Sequence, residues 1–316
     1  MNRRRFLGTL GAGLWAGSGA GFLRLAGGTR GIDGERLVER WSWVMGQPAR
    51  ILLFCSEESA GLEAAAGAFA ELRRVEAALS LYDGASDLVA LNQRAGGGGI
   101  RVAPELCDVL RSAETYRRET RGAFDPAVEP LMQAWGFHLP RTGAPSAGEL
   151  KEAREAVAAT RLVIGKDAVA LSPGHARLDL GGIGVGYGLD RAGEVLRRAG
   201  LQRALLDISG DLLALGAPPG RVGWPLDIAN PSGRGALRTV LLRDAALATS
   251  ANTVAVVHYG AISCGHVLEP WSGQPARALR QVTVVADTAI RADAFATALL
   301  VSGRSAAGVR EVSRVS

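Results

Sequence analysis

The sequence predicts a mixed α/β fold of the α+β type, in which antiparallel-rich sheets are flanked by helices. Of the 316 residues, 47% are hydrophobic and 21% are charged, an ordinary globular composition with enough apolar content for a core. Helical patterns occur early, in the middle and at the end of the chain, and strand-like patterns crowd its second half. This mixture is typical of helices packed against a largely antiparallel sheet.

Five segments have apolar residues at helical spacing or carry helix-boundary signals. Ser59 is placed to cap the first, and Pro104 lies near the start of the second, where proline is tolerated. Ser146 and Glu149 are in capping-box register at the third. Gly200 is placed to end the fourth. The predicted helices are 59–82, 103–120, 145–157, 189–199 and 289–303.

Short apolar runs between these helices predict strands. The runs are rich in Val, Ile and Leu and are bounded by turn residues. The segment 122–137, GAFDPAVEPLMQAWGF, is instead rich in turn and loop signals. The predicted strands are 49–55, 161–165, 168–172, 176–180, 203–209, 211–216, 224–229, 237–242, 253–259 and 281–286.

Residues 1–30 have the layout of an export signal, so we expect one folded domain at 31–316. The segment has a basic start, a mildly apolar middle and a small-residue end. Arg3 and Arg4, followed by Phe6 and Leu7, fit the twin-arginine pattern, which predicts a periplasmic protein exported after folding. An ordinary signal peptide or an uncleaved anchor is the alternative interpretation.

The net charge of +5 comes mainly from this segment, which holds five arginines and no acidic residue. The rest of the chain is close to neutral, so nucleic-acid binding is not indicated. The three cysteines, Cys55, Cys107 and Cys264, are too few and too far apart for a disulfide framework or a clustered metal site. We expect buried thiols with at most one disulfide.

The stretch DLGGIGVGYGLD, residues 179–190, places five glycines just ahead of a predicted helix. Glycine lets a backbone come close to a ligand, and the N–H groups at a helix start favour phosphate. The spacing fits neither a dinucleotide fingerprint nor a Walker loop. The stretch therefore indicates either an unfamiliar phosphate site or a tight strand–helix connection. Asp179 would bind a ligand hydroxyl or amide in the first case and cap a turn in the second.

Three other positions are candidates for chemistry, each with a plain structural alternative. His266 in GHVLEP is either a base or ligand contact or an ordinary loop histidine. Asp293 and Thr297 are four residues apart on a predicted helix and share a face. They would hold a hard cation such as Mg²⁺, unless Asp293 only complements the helix dipole. Asp125 in GAFDP is by default a turn aspartate.

The order of these motifs is more specific than any one of them. The chain carries, in sequence, MG (45–46), LYDGASDLVALN (81–92), the 122–137 block, DLGGIGVGYGLD, SGD (209–211), ATS (248–250), GHVLEPWSGQP (265–275) and ADAFATAL (292–299). From about Trp41 to Gly303 this series resembles the ApbE family of FAD:protein FMN transferases.

The resemblance implies a Mg²⁺-dependent enzyme that splits the FAD pyrophosphate and attaches FMN by a phosphoester bond to Ser or Thr of a target protein. It puts His266 near the reacting phosphates. It puts the metal on Asp293, Thr297 and a loop carbonyl, that of Gly182. It puts FAD contacts at Met45, Tyr82, Ala123, Phe124, Asp125, Asp179, Val185 and Leu268.

Several residues depart from the family pattern. Val185 stands where many members have Lys or Glu, and Gln47 and Ala127 each replace a common Thr. Ala251-Asn252 replaces the usual Gly-Asp. Two other activities stay open: FAD hydrolysis to FMN and AMP without an acceptor, and flavin binding as a non-catalytic assembly factor. Twin-arginine export fits an acceptor protein that belongs to a membrane electron-transfer complex.

Overall fold

The computed structural model describes residues 34–231, 235–253 and 255–315. The predicted export signal at residues 1–30 lies outside these ranges. Within them, no helix has both the length and the apolar character needed to cross a membrane.

A seven-stranded antiparallel sheet forms the centre of the fold, in the order β1-β2-β6-β7-β10-β13-β14. Smaller sheets are formed by β3-β5-β4, β8-β9 and β11-β12. The strands are β1 (Arg36–Val44), β2 (Gln47–Cys55), β3 (Ile100–Arg101), β4 (Arg161–Ile164), β5 (Ala168–Ser172), β6 (Ala204–Ile208), β7 (Asp211–Leu215), β8 (Trp224–Ala229), β9 (Ala236–Leu242), β10 (Ala245–Ala251), β11 (Val256–Tyr259), β12 (Ile262–Gly265), β13 (Gln281–Ala286) and β14 (Arg310–Val315).

Seven α-helices accompany these strands in the described residues, and a short 3-10 turn, Pro126–Val128, precedes the fourth. The mixed α/β class with antiparallel sheets and flanking helices is confirmed. The helices are α1 (Glu58–Leu79), α2 (Asp87–Gln93), α3 (Pro104–Glu119), α4 (Glu129–Ala134), α5 (Ala147–Ala159), α6 (Gly184–Arg198) and α7 (Ala289–Ser302).

The central sheet is covered on both faces, which explains why β2 is buried along almost its whole length. Side chains alternate across a strand. Ile51 and Leu53 accordingly enter the main core beneath α1, α6 and α7. Leu52 and Phe54 enter a second, smaller core, where they pack with residues of the β8–β9 hairpin such as Trp224.

Helix α6 begins at Gly184, five residues before the predicted start, so most of the glycine stretch is helical. The reason is close packing. A Cβ on Gly186 would lie 2.3 Å from the carbonyl oxygen of Ala289, and one on Gly193 would lie 2.5 Å from Leu213 of β7. Glycine is unfavourable inside a helix, but here it lets α6 approach both α7 and the sheet.

Two aspartates connect the starts of α6 and α7. The Asp190 carboxylate of α6 accepts hydrogen bonds from the N–H groups of Ala289 and Ile290, at 2.8 and 2.9 Å. In return, Asp293 of α7 accepts from the N–H of Gly186 at 3.0 Å. Each helix thereby satisfies backbone donors in the first turn of the other.

Several local predictions are confirmed. The Ser146–Glu149 capping box is present, Pro104 is the first residue of α3, and Gly200 has a positive φ of 80° just after α6. All three cysteines are buried free thiols.

Other local predictions are wrong. Residues 176–180 form no strand. The Asn92 side chain hydrogen-bonds both the backbone N–H and the backbone carbonyl of Leu178, in place of a neighbouring strand. Helix α1 has Glu57 at its N-cap rather than Ser59. Residues 129–134 are helical, although the turn residues of this segment predict a loop. Strands β1, β3, β10, β12 and β14 and helix α2 lie in segments for which the sequence predicts neither a strand nor a helix.

The contact at Gly186 gives a stability prediction. Gly186→Ala should lower the free energy of unfolding by about 2–3 kcal/mol, because rigid backbone of α7 must move to admit a methyl group. Denaturant unfolding measures the difference.

Gly67→Ala is the matched control. Gly67 lies inside α1, and a Cβ there would lie at an ordinary 3.4 Å from Val195. Alanine should stabilise that helix by up to about 1 kcal/mol. Equal effects of the two substitutions would contradict the packing role of Gly186.

Candidate functional site

The Met45–Gly46 turn brings the first predicted FAD contact to α6. Val44 pairs with Gln47, so the turn between β1 and β2 has two residues, and both have positive φ, 52° and 70°. This is the type I′ geometry that suits the twist of a hairpin. A Cβ on Gly188 would lie 2.6 Å from Met45 Cε, so the methionine side chain lies against α6.

The predicted contact loop Ala123–Asp125 connects α3 to the 3-10 turn. The side chains of Ala123 and Phe124 are buried. Asp125 Oδ1 accepts from the N–H of Ala127, and its Oδ2 accepts from Arg117 Nε, both at 2.9 Å. The Asp125 carboxylate therefore fixes the shape of this loop.

Asp179 lies directly beside that loop. Its N–H donates to the carbonyl of Pro126 at 2.8 Å, and its Oδ1 accepts from the N–H of Gly181 at 2.6 Å. A Cβ on Gly182 would lie 3.1 Å from Thr297 Oγ1 and 3.6 Å from Phe124. The glycine turn, the 123–125 loop and α7 thus meet around Gly182.

A pair of acidic side chains lies behind this meeting point. Asp293 is buried, and burial raises the pKa of its carboxyl to about 7, against the opposing hydrogen bond from Gly186. Burial also raises the pKa of Asp211, and the charge of Asp293 raises it further. Asp211 accepts from the N–H of Thr249 at 3.2 Å. The two carboxyls therefore resist being ionised together.

These residues fit a hard cation. The Gly186 hydrogen bond uses Oδ2 of Asp293 and leaves Oδ1 available. Thr297 Oγ1 lies 3.3 Å from Ser250 Oγ and close to Gly182. All the donors are oxygens, the ligand type that Mg²⁺ prefers. A divalent cation would also relieve the repulsion between the Asp293 and Asp211 carboxylates, so the predicted metal ligands are suited to one.

His266 begins the segment after β12. Its backbone N–H donates to the carbonyl of Ala255 at 3.0 Å. The ring atom Nδ1 is buried without a hydrogen-bond partner among the described residues. Burial lowers the pKa of His266, against the opposing effects of Ala255 and of the Asp179 charge. The ring is therefore neutral at pH 7, the form that accepts a proton.

Tyr82 is 72% exposed, and its ring meets the edge of the His138 ring with centroids 5.8 Å apart. His138 Nδ1 lies 2.6 Å from Glu129 Oε2, and its Nε2 lies 3.7 Å from Asp179 Oδ2. Glu129, His138 and Asp179 each offer one ligand-type atom, and these atoms lie within 4.8 Å of one another. A second charged cluster therefore lies on the Asp179 side of the site.

The remaining two predicted FAD contacts are apolar. Val185 is partly buried in the first turn of α6, beside Gly186 and Asp293. Leu268 is 4% exposed and pairs with Pro275 through an isolated β-bridge. The Leu268 side chain packs into the main core and offers little surface to a ligand.

A cavity of about 470 Å³ lies elsewhere, at the other end of α6. It is lined by arginines and by the loop after β7, and Arg197 in the last turn of α6 is one of its walls. The 15 residues of α6 put that end roughly 20 Å from Gly184. None of the predicted site residues lines this cavity.

The fold agrees with comparison to known proteins. Residues 45–312 match the ApbE family, which is well over half of the chain. The chain belongs to the ApbE family.

Other family members resemble it at moderate identity. A FAD:protein FMN transferase of Rhodobacter capsulatus is 34% identical over 241 residues, 72% of this chain and 46% of that protein. The chain thus spans about half the length of that relative. A FAD:protein FMN transferase of Treponema pallidum is 29% identical over 297 residues, 87% of this chain and 82% of that protein. The crystal structure of the ApbE protein from Thermotoga maritima has a TM-score of 0.77 at 27% identity, covering 84% of this chain and 87% of that one.

Sequence reasoning missed three acidic or basic residues of this ApbE-family site. Asp211 belongs to the SGD motif, which was used for the resemblance but given no role. Glu129 and His138 lie inside and just after the 122–137 block. Their signal was a Glu and a His nine residues apart around a predicted loop, which is too common a pattern to single out.

The buried Asp293 carboxyl predicts pH-dependent stability without metal. The pKa of Asp293 is about 7 in the folded protein and 3.8 when exposed, so folding disfavours the charged form. In EDTA, the contribution of Asp293 to the free energy of unfolding should be most favourable below pH 4 and should be lost as the pH rises towards 7.

Mg²⁺ should reverse that loss. At saturating Mg²⁺ the midpoint of thermal unfolding should rise by about 5 °C at pH 8 and much less at pH 5. Asp293→Asn should abolish the Mg²⁺ effect without destabilising the metal-free protein at pH 8, and Asp167→Asn, at an exposed position, should keep it. A full Mg²⁺ effect in Asp293→Asn would contradict the metal assignment.

Proposed function

We propose that this protein is a Mg²⁺-dependent FAD:protein FMN transferase. The observation that carries the proposal is the meeting of Gly182 with the Thr297 hydroxyl beside the 123–125 loop and the Asp179 turn, with Asp293 one helical turn before Thr297 on α7. It occurs in a chain of the ApbE family, and the relatives described above carry this activity as their name.

FAD would lie along the surface formed by the Met45 turn, Tyr82, the 123–125 loop and the segment from Asp179 to Val185. Support for this comes from the direct contacts that join these segments to one another or to α6. The pyrophosphate would lie at the first turn of α6, where Asp293 already occupies one backbone N–H. The polar contact that many family members make at the position of Val185 is missing, so we expect weaker FAD binding rather than a different reaction.

In the reaction, the hydroxyl oxygen of an acceptor Ser or Thr attacks the phosphorus of the FMN half of FAD. A new P–O bond forms, the bond from that phosphorus to the bridging oxygen breaks, and AMP leaves with that oxygen. The hydroxyl proton passes to His266, whose lowered pKa keeps it neutral and able to accept. A divalent cation at Asp293, Thr297 and the Gly182 carbonyl would neutralise the pyrophosphate charge.

The acceptor we propose is a periplasmic electron-transfer protein, part of a membrane-bound complex. Support comes from the twin-arginine pattern of residues 1–30, since this route carries folded proteins out of the cytoplasm. The acceptor hydroxyl would approach from the side of His266.

The test is an assay of purified protein with FAD, Mg²⁺ and an acceptor peptide that contains Ser or Thr. FMN-modified peptide and AMP should form in equal amounts by mass spectrometry and chromatography, and EDTA should stop both. Fast release of FMN and AMP without peptide would instead identify a hydrolase, and FAD binding without turnover would identify an assembly factor.

His266→Asn tests the proposed base within this assay. Transfer should slow roughly 10²- to 10⁴-fold, the usual range for loss of a general base, while FAD affinity stays within a factor of about two. The wild-type rate should rise with pH through a pKa below 6.5 and be flat above it, because the neutral ring is the active form.

His258→Asn is the matched control, since His258 is exposed on β11, where its Nδ1 lies 2.9 Å from Ser263 Oγ. It should keep both the rate and the pH profile. If the low-pH limb survives in His266→Asn, or if FAD affinity falls in step with the rate, His266 is not the base.

Export has its own test. Arg3→Lys together with Arg4→Lys should leave the protein in the cytoplasm, because a receptor reads paired arginines rather than bulk charge. Cell fractionation with immunoblotting measures this, and the Arg24→Lys variant is the control. Unchanged periplasmic levels of the double variant would exclude the twin-arginine route.

A further inference from the structure

Glu129, which is buried, and His138, which is partly buried, form a pair to which the reaction above gives no role. Glu129 is 4% exposed in the first turn of α4, and both its oxygens are engaged. Oε1 accepts from Gln133 Nε2 at 2.8 Å, and Oε2 lies 2.6 Å from His138 Nδ1. A carboxylate as buried as that of Glu129 stays ionised only when a positive charge lies beside it, and His138 supplies that charge.

The second ring nitrogen of His138, Nε2, lies on the side of the proposed FAD surface. Its Nε2 lies 3.7 Å from Asp179 Oδ2, and its ring edge meets Tyr82. These are two of the residues expected to contact FAD. The two ring nitrogens thus face different carboxylates, as in a doubly protonated imidazole held between two anions. A three-ligand metal site would need one nitrogen to face both.

The charge state of His138 follows from its neighbours. Burial by itself lowers the pKa of this histidine, but the Glu129 hydrogen bond and the charges of Asp179 and Glu129 outweigh it, so the pKa is raised. The titratable groups that face the ring are Glu129 from α4, Asp179 from the segment before α6, and Tyr82 from the loop after α1. Protonated, His138 donates to one carboxylate and attracts the other.

His138 is therefore the point that joins three segments of the FAD surface. Glu129 continues directly from the 3-10 turn that Asp125 caps, and the N–H of Asp179 donates to Pro126 of that same turn. The Asp179 side chain has one oxygen fixed by Gly181 and the other facing His138. If the ring lost its proton, Nε2 would present a lone pair to Asp179 Oδ2, and the carboxylate would turn away.

We propose that protonated His138, held by Glu129, is a positioning residue that orients Asp179 and Tyr82 for FAD and makes FAD affinity fall as the pH rises. The proposal rests on the proposed function, because it needs FAD as the ligand. It adds that the flavin surface of this chain carries a proton-sensitive support distinct from His266.

The experiment is a titration of FAD binding at fixed Mg²⁺ between pH 6.5 and 9, followed by flavin fluorescence. Wild-type affinity should fall about tenfold across this range, as expected for loss of one charge-assisted interaction. His138→Gln should bind at pH 6.5 about as weakly as wild type does at pH 9, with little pH dependence. Any limb from His266 lies below pH 6.5, because the pKa of His266 is lowered.

Glu129→Gln is the second variant and separates positioning from a merely structural role. Gln keeps a hydrogen-bond acceptor for Nδ1 but removes the charge, so the midpoint of the affinity change should move to lower pH by about one unit or more. His175→Gln, at an exposed position, is the control and should titrate like wild type. The His138 ring signal in NMR spectra without FAD should show the same order of midpoints, and circular dichroism reports folding.

The outcomes distinguish this proposal from the function on which it rests. If wild type transfers FMN but His138→Gln shows the same pH dependence of FAD binding, the positioning role is overturned and the function stands. A ring midpoint below 6.5 in wild type, or an unmoved midpoint in Glu129→Gln, also overturns it. If wild type binds no FAD at any pH, both proposals fail.

Discussion

The close contact between α6 and α7 is the constraint on which the rest of the site depends. Gly186 lets the two helices approach until its Cα lies against the backbone of Ala289. Asp190 and Asp293 then exchange hydrogen bonds with the first turn of the opposite helix. Because both helix starts are fixed at one place, Gly182, just before α6, and the Thr297 hydroxyl of α7 are brought together there.

The site handles buried negative charge in two different ways. Asp211 and Asp293 have no cationic side chain beside them among the described residues, and their pKa values are raised by burial. Glu129 and Asp179 instead share the imidazole of His138. A pair left without a fixed countercharge is suited to an exchangeable cation, whereas a pair with a built-in cation is suited to holding its shape.

The sequence was sufficient for the fold class, for most elements and for the family, because these depend on local periodicity, capping and motif order. It was insufficient where distant residues replace a local partner. The segment 176–180 reads as a strand, yet Asn92, more than 80 residues earlier, satisfies its backbone. Gly186 falls in a predicted loop, since the helix α7 that requires a glycine there lies about 100 residues later.

The same limit applies to the site. The sequence could single out Asp293 and Thr297 as candidates because i and i+4 positions share a helix face. Asp211 and His138 were not found, because their importance comes from tertiary neighbours such as Asp293 and Glu129. No spacing in the sequence relates those pairs.

The Met45 turn has a consequence for how this chain can vary over evolutionary time. Position 45 must accept a left-handed backbone conformation, and its side chain fills the space that Gly188 leaves open. A larger residue at 188 is compatible only with a smaller one at 45, and a β-branched residue at 45 is disfavoured by the backbone itself. Substitutions at positions 45 and 188 are therefore expected to occur together, because a change in the hairpin turn constrains the helix packed against it.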